Sequence, residues 1–70
     1  MKIFEKGIDH LLAIISECAS VFVGAEEIGS SDVSCACWDV VAGLGLKRHE
    51  VTPEEFALIR NGVRNAIAKL

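Results

Sequence analysis

No stretch of this 70-residue chain approaches the roughly 18 to 20 consecutive apolar residues that a transmembrane helix requires. The opening residues, MKIFEKGIDHLLAIISECASVFVGAEE, have the outline of a secretory leader, with lysines ahead of an apolar run. Asp9, His10 and Glu17 interrupt that run and leave LLAII as its core. A leader carries roughly 7 to 15 uninterrupted apolar residues. The expectation is a mature cytoplasmic N-terminus and no membrane partner.

Cysteine is scarce and odd in number, at 18, 35 and 37, which excludes the even, spaced framework of a disulfide-stapled mini-protein. On a helix, Cys35 and Cys37 point about 200° apart, so they cannot share a metal ion. Tetrahedral zinc wants four ligands, and only Cys18, His10 and His49 remain, with Cys18 and His10 differing in direction by about 80°. No metal and no cofactor is expected, and the cysteines read as small apolar residues.

Positive charge is also in short supply. Ten acids against seven bases give a net charge of −3, which argues against nucleic acid or an anionic membrane as partner. The glycines of GLGLKR lack the spacing and the preceding strand of a phosphate cradle, and read instead as a helix end followed by bases that complement its dipole. Neither His10 nor His49 has a nucleophile beside it, and both read as solvated. Asp39 is a lone acid in an apolar segment with no second acid or base beside it. No catalytic set is present, and the chain is expected not to be an enzyme.

Proline occurs once, and with the glycines it divides the chain into three segments of helical length. In VTPEEF, Thr52 is placed as N-cap, Pro53 at N1 and Glu55 at N3, a capping box with Val51 and Phe56 as its hydrophobic staple. Apolar residues then recur at 56, 59, 63, 66, 67 and 70. The first segment puts Phe4, Ile8, Leu11, Leu12, Ile15, Cys18, Ala19 and Phe22 on one face, with Gly24 to end it. The second opens at GSSD, with Ser30 or Ser31 as cap, and carries the column Val33, Ala36, Cys37, Val40 and Leu44. The predicted fold is all-α: a single domain over residues 1–70, with helices at about 3–23, 31–44 and 53–70 forming a small three-helix bundle.

What is abundant is apolar surface. Hydrophobic residues make up 51% of the chain and mean hydropathy is +0.41. A domain this small buries only about 60% of the surface its unfolded chain exposes. On the first helix Ile3, Gly7, Ile14 and Val21 add a second column that widens the apolar arc to about 200°, where about 100° would suffice for packing on one side. On the second helix Cys35, Trp38 and Ala42 lie opposite the core column. Ile3, Ile14, Val21, Cys35, Trp38 and Ala42 are therefore expected to form an interface that completes the bundle by homo-oligomerisation, most simply a two-fold dimer. On the polar side of the third helix, Leu58 near Gly62 and Asn65 is expected to be a docking point for another protein.

The functional expectation is a small acidic, non-enzymatic protein-interaction module acting as regulator, adaptor or inhibitor, a kind of chain often carried by mobile elements. Two alternatives belong to other classes. One is a helix-turn-helix-like DNA-binding regulator using Arg60, Arg64 and Lys69, against which the first-turn residues Pro53, Glu54 and Glu55 count. The other is an oligomer that binds or sequesters a small ligand between protomers.

Overall fold

The strongest local signal in the chain is also the best-formed helix start. A computed structural model, which describes residues 1–70, places α3 over Pro53–Ala68 with Thr52 as its N-cap. The Glu55 N–H donates to Thr52 Oγ1 (3.2 Å), and the Thr52 N–H donates to Glu55 Oε1 (3.2 Å). This is the reciprocal pair of a capping box, with Pro53 at a position whose missing N–H costs nothing.

α2 spans Ser30–Gly43. Its N-cap is Gly29 rather than Ser30 or Ser31, and Asp32 reaches back to accept the Gly29 N–H at 2.9 Å. A charged acceptor at N3 anchors the first turn and suits the positive end of the dipole, leaving both serines exposed. At the far end the Gly45 N–H donates to the Ala42 carbonyl (3.0 Å) and the Leu46 N–H to the Val41 carbonyl (3.2 Å). These two bonds form a Schellman stop, and Gly45 supplies the positive φ of 76° that it needs. GLGLKR is thus a helix terminator.

The first helix is shorter than its apolar pattern implies. α1 covers Ile8–Ala19, with separate 3-10 turns at Lys2–Phe4 and Ser20–Phe22. Gly7, at φ 93° and ψ 157°, breaks the helical path. Residues ahead of it lose the phase of α1, and Ile3 swings into the core, where it is 1% exposed. Its N–H donates to Glu55 Oε2 at 3.2 Å, while Lys2 Nζ pairs with Glu50 at 2.9 Å. The N-terminal turn is thereby clasped to the start of α3.

Each helix packs against the other two, with no strands. α2 runs antiparallel to α1, since Ile14 meets Gly43 while Cys18, further along α1, lies near Asp39, earlier on α2; Trp38 of α2 meets Phe56 of α3. α1 and α3 run in the same sense, since Ile3 meets Glu55 and Ile15 meets Gly62. Both glycines are points of close helix approach. A Cβ at Gly43 would lie 2.9 Å from Ile14 Cγ2, and one at Gly62 would lie 2.8 Å from Ile15 Cδ1. The α2 column Val33, Ala36, Cys37, Val40 and Leu44 is buried as its spacing predicts, together with Leu11, Ile15 and Ala19 of α1 and Ile59 and Val63 of α3. No helix is long and apolar enough to cross a membrane.

Candidate protein-interaction surfaces

The six residues expected to face a second copy do not form one surface. Ile3 lies in the core for the reason given above. Ile14 is half-buried, filling the space that Gly43 leaves open. Trp38 is also half-buried and packs on the core, with its ring centroid 4.4 Å from that of Phe56. Ile3 is therefore corrected as an interface residue, whereas Ile14 and Trp38 keep part of their surface and Val21, Cys35 and Ala42 are exposed.

Large apolar side chains are exposed at both ends of α1, at Phe4, Val21 and Val23, and also within α1 and within or just after α3. Ile8, Leu12, Leu58 and Leu70 are 53%, 52%, 44% and 57% exposed. Between the two helices is a concavity of about 520 Å³ lined by Leu12, Ile15, Ser16, Gly62, Asn65, Ala66, Lys69 and Leu70. Gly62 forms part of its floor because it has no side chain and lets Ile15 approach. Of the residues expected to dock a partner, Gly62 and Asn65 line this groove; Leu58 is exposed and, at 100° per residue, lies on the same edge of α3 as Asn65 and Lys69.

A second surface, of different chemistry, follows the seam of α2 and α3. The Arg48 Cζ lies 4.5 Å from the Trp38 ring centroid, and the Arg60 Cζ lies 5.3 Å from that of Phe56. Both are within cation–π range. The antiparallel run of α2 and α3 brings these residues together from positions far apart in the chain. The apolar columns place Trp38 and Phe56 singly; their pairing, and the return of Arg48 from the connecting loop, have no local signature.

The remaining chemistry-bearing side chains are dispersed. No three His, Cys, Asp or Glu residues are grouped so as to hold a metal ion. Cys37 is fully buried, Cys18 half-buried and Cys35 exposed. Burial pushes the Cys18 thiol up, with Asp39 and Glu17 adding to the effect. Burial also pushes up the Cys37 thiol, against the opposing fields of Arg60 and Arg64. Both stay protonated and poorly nucleophilic near neutral pH. His49 is exposed as expected, but His10 is half-buried on α1 and its Nε2 is enclosed without a hydrogen-bond partner. Asp39 is exposed.

Glu55 is the one buried charged residue. Burial pushes its carboxyl up, but the N–H groups of Thr52 and Ile3, the Thr52 hydroxyl and the N-terminal ammonium outweigh that and hold it below the usual carboxylate range. A folded-state pKa below the unfolded one adds stability above the unfolded value of about 4.3, and that stability is lost as pH falls through the lowered value. Melting temperature should accordingly drop on acidification below about pH 4.3, and Glu55→Gln should flatten that part of the curve. Parallel curves for the two proteins would show that the clasp makes no such contribution.

No family model, curated protein or solved structure matches this chain.

Proposed function

We propose that this is a small cytoplasmic, non-enzymatic protein-interaction module, acting as regulator, adaptor or inhibitor by seating apolar side chains of a target protein in the α1–α3 groove. The observation that supports this is the groove itself, flanked by large apolar residues that the bundle leaves in water. Exposed apolar side chains beside a concavity are the usual form of a site for an amphipathic helix, whose anchors recur at i, i+3 or i+4 and i+7. Self-association belongs to the same proposal and would use Val21, Cys35 and Ala42, which are exposed and do not line the groove. A DNA-reading role is less well served. Glu54 would meet phosphates at the start of α3, and the Glu55 carboxylate is already engaged by Ile3 and Thr52.

Affinity capture of the tagged protein from its native host tests the groove directly. The wild type is expected to retain a protein in near-stoichiometric amount, and Leu12→Glu, which puts a charge on the rim without touching the core, is expected to lose it while keeping its helical circular dichroism. Capture of no protein, or capture indifferent to Leu12→Glu, would overturn the proposal.

A further inference from the structure

The chain has three arginines, and none of them has an acidic partner. Arg48, Arg60 and Arg64 donate no hydrogen bond to a carboxylate, and the one ion pair in the fold joins Lys2 to Glu50. Two of them stand over aromatic rings that touch one another, Arg48 over Trp38 and Arg60 over Phe56. Arg64, one turn beyond Arg60, lies close enough to Cys37 for its field to oppose the effect of burial on that thiol. In a protein of net charge −3, all the guanidinium groups are thus gathered along the α2–α3 seam.

An arginine held over a ring has already lost much of its rotamer freedom, and a guanidinium has five N–H donors, so Arg60 keeps donors free for a planar acceptor beyond the one that reaches the Cys37 thiol. Bidentate pairing with a carboxylate is the interaction such a group makes best. We infer that the α2–α3 seam is a second binding site, one that takes an acidic segment of a protein partner, with carboxylates on Arg48 and Arg60 and apolar portions of the segment on the Trp38–Phe56 pair. Charge complementarity selects this occupant. The acidic surplus of the whole chain opposes the long-range field of a nucleic acid, whereas a short acidic segment meets only the local arginines.

Trp38 is the only tryptophan and there is no tyrosine, so its emission reports directly on this seam. A short, end-capped peptide of glutamate and leucine is titrated into the full-length protein. A saturable change in Trp38 emission is expected, weakening with added salt. A peptide with glutamine in place of glutamate should produce none. The Arg48→Gln/Arg60→Gln double variant should bind at least about tenfold more weakly, the factor expected for losing charge-assisted bonds. Should that variant fail to fold, Arg64→Gln serves in its place, because Arg64 is exposed and stands over no ring; it should weaken binding about threefold, a fraction of one such bond.

Three results would overturn the inference: no response to the glutamate peptide, an equal response to the glutamine peptide, or tighter binding of an oligothymidylate than of the peptide. A lower sedimenting mass in the arginine variant would also overturn it, by showing that a second copy already covers the seam. The inference shares only the class of partner with the groove reading. Leu12→Glu should leave peptide binding unchanged, so a wild type that captures no protein, or capture indifferent to Leu12→Glu, sinks the groove reading alone when peptide binding is retained.

Discussion

Ile3→Ala is expected to destabilise the fold by about 2–4 kcal/mol, the range for truncating a fully buried isoleucine when the site cannot collapse around the loss. Ile3 is 1% exposed and belongs to the same core cluster as Leu11, Ile59 and Val63. Its neighbours cannot relax freely, because its own N–H is tied to Glu55 and Lys2 beside it is tied to Glu50. For a domain whose total stability is on the order of 5 kcal/mol, this is a large fraction. Urea denaturation followed by circular dichroism measures it, and the midpoint should fall by the same amount at every protein concentration. A variant with an unchanged midpoint, or one that differs only in oligomer mass, would place Ile3 on a subunit surface and the N-terminal turn outside the folded unit.

Trp38→Ala carries the second large effect, about 3 kcal/mol, combining lost burial with the loss of an aromatic pair worth about 1 kcal/mol beyond its area. The ring is half-buried, packed at a tilt of 39° against Phe56 and covered by Arg48, so truncation opens the α2–α3 seam and removes the platform on which Arg48 rests. The measurement pairs denaturation with sedimentation at low micromolar concentration. Self-association through Val21, Cys35 and Ala42 requires the wild type to sediment above the monomer mass of 7.5 kDa, and the folded fraction of the variant to sediment with it. If Trp38→Ala dissociated the protein without loosening the monomer, the tryptophan would be a subunit anchor and its packing on Phe56 incidental.

These two residues also mark where reading the chain succeeds and where it stops. Three helices, the start of α3 at Thr52, the stop of α2 in GLGLKR and the core column Val33 to Leu44 are legible in the linear sequence. Each depends on neighbours within four or five residues, through caps, a terminating glycine or a 3.6-residue period. The tertiary structure decided which part of an apolar arc faces inward. On α1 the arc is wider than one packing face, so periodicity could not choose between Leu11 and Leu12. Packing between the helices chose: Ile14 seats against Gly43 and Ile15 against Gly62, Leu11 and Ile15 are buried, and Leu12 is left at the groove. The same limit governs Ile3, whose apparent place in a helical column ended at Gly7, and the Arg48, Trp38, Phe56 and Arg60 set, assembled from two antiparallel helices and a loop. Local hydrogen bonds act within a turn or two and are written in adjacent residues; the direction a side chain finally faces is settled by contacts between segments far apart in the chain, where several nearly equal packings compete until the close approaches select one.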